Sequence, residues 1–214
     1  MCKRVVCFDL DDTLYKEIDF VKSAFGEIAA CEGHPEWVDL MMQWFFDGEN
    51  VFLRLNRQLG QHKPIADYLT VYRNHFPHIS LSDGVRSTLD ALARKGVVLG
   101  LITDGRSVSQ RNKIKALGLE KWFADKNIII SEEFGSEKTE ERNFCYFNQL
   151  YPEASFAYVG DNPSKDFLVP NGLGWETIML KDDGRNIHRQ GVVPAESLPH
   201  RTITDFEALL GFFR

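Results

Sequence analysis

The sequence contains no segment rich in lysine and arginine, and its 31 acidic residues outnumber its 25 basic ones, which gives a net charge of −6. Clustered basic residues supply much of the affinity for nucleic acids. Their absence argues against a nucleic-acid partner. A small anionic ligand would need a local positive patch.

Long apolar segments are also missing. No run approaches the roughly 18 apolar residues that a membrane-spanning helix needs. The N-terminal residues Met1, Cys2, Lys3 and Arg4 lead into a short predicted strand rather than into the apolar core of a signal peptide. We therefore expect a cytoplasmic protein with no membrane partner.

Cysteine is scarce and scattered. Cys2, Cys7, Cys31 and Cys145 form no Cys-x-x-Cys pair, which argues against a zinc knuckle and against a thiol redox motif. We expect reduced thiols, with Cys7 buried in a strand, as is usual in a reducing compartment.

Short apolar runs dominate the pattern of the 214 residues, of which 43% are hydrophobic and 26% charged. This is enough to bury a core as one domain, or as one domain with an insertion. Five runs are typical of buried parallel strands, because they are too continuous for the alternation of a half-solvated sheet. They cover residues 5–8, 97–102, 128–130, 156–159 and 177–180.

Helical patterns separate these strands. One helix begins near Ser82 and ends at Gly96, a second covers about 107–118, and a third about 139–150. Strands that alternate with helices imply right-handed crossovers. The sequence therefore predicts an α/β fold with a doubly wound, mostly parallel sheet.

Residues 16–80 interrupt this alternation. The segment is helical in pattern and rich in aromatic residues, and it is far longer than a normal connecting loop. We predict a small helical cap inserted after the first strand, whose aromatic residues mostly form the core of the cap itself.

Polar residues follow four of the predicted strands. Because ligands of open α/β sheets bind at the carboxyl ends of the strands, we expect these residues to form one site. Carboxylates spaced two residues apart would repel each other unless a cation, a shared proton or a chemical task offsets the cost. The residues are Asp9, Asp11 and Thr13 after the first strand, Thr103 and Asp104 after the second, Lys138 after the third, and Gly160, Asp161 and Asp166 after the fourth.

The four segments, in this order, resemble the four signatures of the haloacid dehalogenase-like (HAD) superfamily, whose members are mostly phosphatases. The resemblance implies a Rossmann-like core at residues 1–15 and 81–214 and a C1-type cap at residues 16–80. The family often has proline where Thr139 stands, but the preceding lysine is present.

The resemblance also implies roles for the residues. Asp9 would be the nucleophile and Asp11 the general acid and base, while Thr103, Asp104 with the N–H groups beside it, and Lys138 would bind the phosphate. Mg²⁺ would be the cofactor, held by Asp9, the main-chain carbonyl of Asp11, Asp161 and Asp166. Asp12 would have no catalytic role.

Asp11 separates the branches of the family, because haloacid dehalogenases and phosphonatases lack this second aspartate. A small phosphorylated metabolite is the expected substrate. A phosphomutase or phosphotransferase remains an alternative, and a non-catalytic receiver-like switch is disfavoured by the order of the residues. The identity of the substrate and the oligomeric state are left open.

Some residues are predicted to lie outside the site. Lys113 and Lys115 rival Lys138 in charge, but they fall inside a helix rather than at a strand end. Residues 181–199 are predicted to be a loop with no functional signal. Several residues near or in the cap could touch an anionic substrate but are more simply explained as solvated: Tyr15, Lys16, Arg54, Arg57, His62 and Lys63.

Overall fold

The computed structural model describes residues 3–213, which are built around a sheet of six strands, all parallel to their neighbours. The strand order is β3-β2-β1-β4-β5-β6. This confirms the predicted α/β fold and its five strands. The strands are β1 (Arg4–Phe8), β2 (Val98–Thr103), β3 (Ile128–Ile130), β4 (Ser155–Gly160), β5 (Glu176–Leu180) and β6 (Arg201–Ile203).

The sixth strand was not predicted from the sequence. It is only three residues long and lies at the edge of the sheet, where Arg201 and Thr202 are exposed and Ile203 alone is buried. A short edge strand with one buried side chain lacks the continuous apolar run that marks the inner strands.

The central strand β1 is buried on both faces. Val5 and Cys7 pack into one hydrophobic cluster, and Val6 and Phe8 pack into another on the opposite face, because successive side chains of a strand point to opposite sides. Helices cover both faces. Those that follow β1 in the core are α5 (Asp83–Arg94), α6 (Ser107–Ala116), α7 (Ser131–Phe134), α8 (Glu141–Leu150) and α9 (Leu168–Gly172).

Four helices lie between β1 and α5, and we call them the helical insertion: α1 (Glu17–Cys31), α2 (Val38–Phe46), α3 (Val51–Leu59) and α4 (Ile65–Asn74). They enclose a hydrophobic cluster of their own, in which Phe25, Trp44 and Tyr68 are buried. Its aromatic residues therefore pack largely against one another, as expected. The division of the chain into a core domain and a cap domain stays a prediction.

The order of the strands determines where a site can form. The chain moves from β1 to β2 and β3 on one side, and returns to β4, β5 and β6 on the other. The carboxyl ends of β1 and β4 thus lie at the point where the direction of winding reverses, and ligands of doubly wound sheets bind there.

Within residues 3–213, no helix combines the length and apolar character that crossing a bilayer requires.

Cys7 is buried as predicted, and Cys31 and Cys145 are also free thiols. Cys2 lies outside the described residues.

Candidate active site

Three carboxylates and one ammonium group meet where β1 and β4 end. Oxygen atoms of Asp9, Asp161 and Asp166 lie within 4.8 Å of one another. The Nζ atom of Lys138 lies 2.8 Å from Asp9 Oδ1 and 2.8 Å from Asp166 Oδ1. All four residues are buried. The structure thus brings together four of the residues predicted for the site.

The charges of this cluster are not balanced. Burial raises the pKa of Asp9 to about 7 although Lys138 lowers it. Burial, with Asp9 and Asp166 as like-charged neighbours, raises the pKa of Asp161 to about 9. Burial alone would lower the pKa of Lys138, but Asp166 and Asp9 raise it well above its usual value. The cluster therefore has room for a further positive charge, and its oxygen ligands are those that Mg²⁺ prefers.

Gly160 permits the close approach of Asp166 to the end of β4. A Cβ atom at Gly160 would lie 2.5 Å from Asp166 Oδ2, and the same oxygen accepts a hydrogen bond of 2.8 Å from the Asn162 N–H. A glycine at the end of a strand is usually interpreted as allowing the backbone to turn sharply. The structure corrects this interpretation, because Gly160 does not have a positive φ and what it provides is space.

Asp11 is held separately from the cluster. Its Oδ1 atom lies 2.7 Å from Lys113 Nζ and accepts a hydrogen bond from the Tyr15 hydroxyl, and its Oδ2 atom accepts one of 3.0 Å from Gln110 Nε2. Burial would raise the pKa of Asp11, but Lys113, Tyr15 and Gln110 together lower it. The carboxylate is thus the centre of a network of three donors.

This network corrects two expectations. Lys113 was discounted because it lies within a helix, and Tyr15 was explained as solvated, yet both are buried and contact Asp11. Gln110 was not predicted at all. The spacing of Gln110 and Lys113 places them on one face of α6, and this was the available signal, although spacing does not show which face of a helix meets a strand end.

Thr103 and Asp104, at the end of β2, accept hydrogen bonds from Gln110 and from the main chain of Lys138. Thr103 Oγ1 accepts a hydrogen bond of 2.6 Å from Gln110 Nε2. Asp104 Oδ1 accepts one of 3.0 Å from the Lys138 N–H, so its carboxylate holds the Lys138 loop in place. A negative side chain in this position would repel phosphate. The phosphate contact of Asp104 stays a prediction, and it concerns the main chain rather than the carboxylate.

Asp12 organises the backbone around the site. It is buried with a φ of 55°, in the left-handed region. Its Oδ1 atom accepts a hydrogen bond of 2.9 Å from the Glu17 N–H, and its Oδ2 atom accepts one of 3.0 Å from the Ile187 N–H. Asp12 thus joins the start of α1 to the 181–199 loop, and its lack of a catalytic role stays a prediction.

The 181–199 loop is part of the site, contrary to expectation. Asn186 Nδ2 donates a hydrogen bond of 2.9 Å to Asp161 Oδ2, and Gln190 Nε2 donates one of 2.7 Å to the Asp161 carbonyl. These residues lie in no regular element, so periodicity carries no information about their contacts. The sequence contained no signal that would have found them.

The cleft between these groups is small, with a cavity of about 120 Å³. Six of the predicted residues line it, whereas Asp166 lies fully buried behind them. The lining also includes five residues that were not predicted for the site: Asp12, Glu17, Asn162, Lys165 and His188. Burial, with Asp11 as a like-charged neighbour, raises the pKa of Glu17 to about 8.

The remaining cationic candidates do not line this cavity. Lys16 pairs with Asp183 at 2.9 Å, Lys63 pairs with Glu32, and Arg54 lies 3.6 Å from Glu49. Arg57 is exposed and His62 is likewise outside the lining. The explanation as solvated is wrong for Lys16, whose side chain is 17% exposed and whose Nζ atom also donates a hydrogen bond of 2.8 Å to Asn186 Oδ1.

Comparison with known proteins leads to the same family as the sequence signatures. The family model described as haloacid dehalogenase-like hydrolase matches residues 6–180. A glyceraldehyde 3-phosphate phosphatase of Methanocaldococcus jannaschii is 30% identical over 203 residues, covering 82% of this chain and 83% of that protein. A phosphoglycolate phosphatase of Pseudomonas fluorescens is 24% identical, covering 97% and 78%.

Solved structures share the whole fold. The putative HAD-hydrolase YfnB of Bacillus subtilis, bound to magnesium, has a TM-score of 0.73 at 20% identity and covers 100% of both chains. A 2-haloacid dehalogenase of Pseudomonas syringae has a TM-score of 0.64 at 20% identity and covers 98% and 97%. At such identities the likeness shows the fold alone, so the chemistry must be argued from the site.

Proposed function

The chain belongs to the haloacid dehalogenase-like hydrolase family and is a phosphatase, and we propose that it hydrolyses a small phosphate monoester with Mg²⁺, through an aspartyl-phosphate on Asp9. The observation that carries this proposal is the buried group of Asp9, Asp161 and Asp166 around Lys138. Such a site places a nucleophile beside positive charge at the carboxyl end of the central strand.

Asp9 performs the first step. A carboxylate oxygen of Asp9 forms a bond to phosphorus while the bond from phosphorus to the ester oxygen breaks, and the electron pair goes to the leaving oxygen. Carboxylates are weak nucleophiles, so positioning and charge neutralisation must lower most of the barrier. Lys138, 2.8 Å from Asp9, contributes to both.

Asp11 transfers a proton in both steps. It donates a proton to the leaving oxygen in the first step, and in the second it accepts one from the water that attacks phosphorus and frees Asp9. Halide needs no proton to leave, so an acid in this position favours a phosphate ester over a haloacid. Thr103, joined to Asp11 through Gln110, orients the transferred group.

The metal site fits the residues present. Asp9, Asp161 and Asp166 with the main-chain carbonyl of Asp11 would hold Mg²⁺, in agreement with the oxygen preference of this ion and with the surplus of negative charge. When bound, Mg²⁺ supplies positive charge that offsets the charge of the phosphate. Asp166 contributes twice, because it also holds Lys138.

The size of the cleft and the names of the relatives support a small substrate. A cavity of about 120 Å³ leaves little space beyond a phosphate group and a few carbon atoms. The relatives are named for glyceraldehyde 3-phosphate, phosphoserine and phosphoglycolate. We propose a phosphorylated metabolite of this size as the substrate.

A panel of phosphorylated metabolites, with free phosphate as the readout, tests the proposal. We expect multiple turnovers in Mg²⁺, loss of turnover in EDTA, and loss in Asp9→Asn. Asp39→Asn, on the exposed face of α2, is the control and should match the wild type. A phosphoryl adduct on the Asp9 peptide, found by mass spectrometry after acid quench, would support the intermediate.

Three results would contradict the proposal. They are the absence of turnover on every ester, unchanged turnover in Asp9→Asn, and isomerisation of a sugar phosphate without release of phosphate. The last result would point to the mutase alternative.

A further inference from the structure

We infer that Lys113 is a positioning residue for Asp11, holding its Oδ1 atom so that Oδ2 is the oxygen that exchanges a proton with the leaving group and with water. The inference rests on the proposed function, because it concerns the proton transfer assigned there to Asp11. It adds a residue and an atom to that step.

The hydrogen bonds of Asp11 identify the oxygen. A carboxylate oxygen has two lone pairs. Oδ1 receives two donors, Lys113 Nζ at 2.7 Å and the Tyr15 hydroxyl, whereas Oδ2 receives Gln110 Nε2 at 3.0 Å. Both lone pairs of Oδ1 are therefore engaged, and Oδ2 retains one that can carry a proton.

The Lys113 side chain is buried and does not extend into solvent. Its side chain is 5% exposed, and Nζ lies 4.4 Å from the centre of the Phe20 ring. Gln110, one turn earlier on α6, is also buried and bonds to both Asp11 and Thr103. One helix face thus determines the orientation of the acid and of the threonine beside it.

The position of α6 is itself determined by contacts with the end of α4. Ser109 Oγ donates a hydrogen bond of 2.9 Å to the Arg73 carbonyl. Asn112 Nδ2 donates to the carbonyls of Asn74 and His75 at 3.1 and 3.0 Å. These bonds satisfy carbonyls that the end of a helix leaves without partners. The part of α6 that carries Lys113 is therefore held against the helical insertion.

The chemistry uses this arrangement directly. As the bond from phosphorus to the leaving oxygen breaks, the proton on Oδ2 passes to that oxygen, and Asp11 becomes a carboxylate whose negative charge faces the Lys113 ammonium group. In the second step Oδ2 accepts a proton from the attacking water. The contact of 2.7 Å between Lys113 Nζ and Oδ1 stabilises the ionised form of Asp11.

The test compares esters that differ in their need for a proton. An alkyl phosphate leaves as a strongly basic alkoxide, whereas p-nitrophenyl phosphate leaves as a stable anion. The kcat/KM value covers the steps up to release of the alcohol, which include the proton donation. We expect Lys113→Met to lower kcat/KM for the alkyl ester about tenfold more than for the aryl ester, within the range of general acid catalysis.

Two variants provide controls. Lys115→Met removes an exposed lysine two residues further along α6 and should match the wild type on both esters. Lys113→Arg retains the charge and should recover part of the alkyl activity. Because Lys113→Met can fail to fold, Tyr15→Phe, which removes the other donor to Oδ1, gives an independent measurement, with the same preferential loss expected at smaller size.

An equal loss on both esters in the folded variants would show that Lys113 is merely structural, and would overturn the inference. Activity of Lys113→Met equal to that of the wild type on both esters would also overturn the inference. A wild-type protein without activity on either ester would instead contradict the proposed function.

Discussion

Asn186 donates a hydrogen bond of 2.9 Å from Nδ2 to Asp161 Oδ2. The amide leaves the other carboxylate oxygen available to a metal ion and limits rotation of the side chain. Groups that orient a metal ligand in this way commonly also increase the affinity of the site for the metal ion.

Asn186→Ala should therefore weaken Mg²⁺ binding about 10- to 100-fold while the fold is retained. The dependence of turnover on Mg²⁺ concentration and calorimetric titration both measure this. Arg189→Ala, exposed in the same loop, should bind Mg²⁺ as the wild type does. Equal Mg²⁺ affinity in the two variants would show that Asn186 does not orient Asp161.

Gly160→Ala should reduce both stability and activity. The added Cβ would lie 2.5 Å from Asp166 Oδ2, so Asp166 would have to move away from Lys138, and overpacking of this kind costs about 1–3 kcal/mol in the free energy of unfolding. Chemical denaturation measures the loss. Gly172→Ala is the matched control, since no atom lies within 4 Å of the added Cβ, and it should leave stability nearly unchanged.

Asp161→Asn should stabilise the metal-free protein while removing its response to Mg²⁺. Asp161 is a buried carboxylate whose pKa is raised to about 9 by burial and by Asp9 and Asp166, so its ionised form opposes folding. A gain of about 1 kcal/mol would raise Tm by about 2–4 °C. Thermal melts in EDTA and in Mg²⁺ check this, with Mg²⁺ stabilising the wild type alone. A lower Tm of Asp161→Asn in EDTA would contradict the expectation.

Stability below neutral pH should depend on an ion pair in the helical insertion. Glu32 accepts hydrogen bonds from Lys63 and from Gln61 at 2.9 Å. Burial would raise the pKa of Glu32, but these bonds lower it. The folded pKa thus lies below the unfolded value of about 4.3, so the pair stabilises the protein above that pH and its contribution is lost as the pH falls through the folded pKa.

Glu32→Gln should then cost up to about 1 kcal/mol at pH 7, since solvent screens the pair, and nearly nothing in strong acid. Urea denaturation at several pH values measures the difference. Glu49→Gln, which breaks the more exposed pair with Arg54, should have no measurable effect. A pH-independent loss in Glu32→Gln would show that the charge of Glu32 is not responsible.

The sequence was sufficient for the parallel core and for most of the cluster around Lys138. Asp9, Thr103 and Asp161 each follow an apolar run, and the ends of parallel strands meet at one edge of a sheet. Their proximity therefore follows from the chain order once the strands are recognised. The short edge strand β6 and the space required beside Gly160 could not be recognised, because neither leaves a pattern in the sequence.

The sequence by itself determined which side chains lie at the carboxyl-terminal edge of the sheet. The reason is that the order of residues along the chain and the direction of the strands place them there. What only the tertiary structure decided is which further groups donate hydrogen bonds to these carboxylates: Lys113 and Gln110 from the middle of α6, and Asn186 from an irregular loop. Hydrogen bonds and ion pairs act across about 3 Å of space. Their partners depend on how helices and loops pack, which no local pattern of residues records.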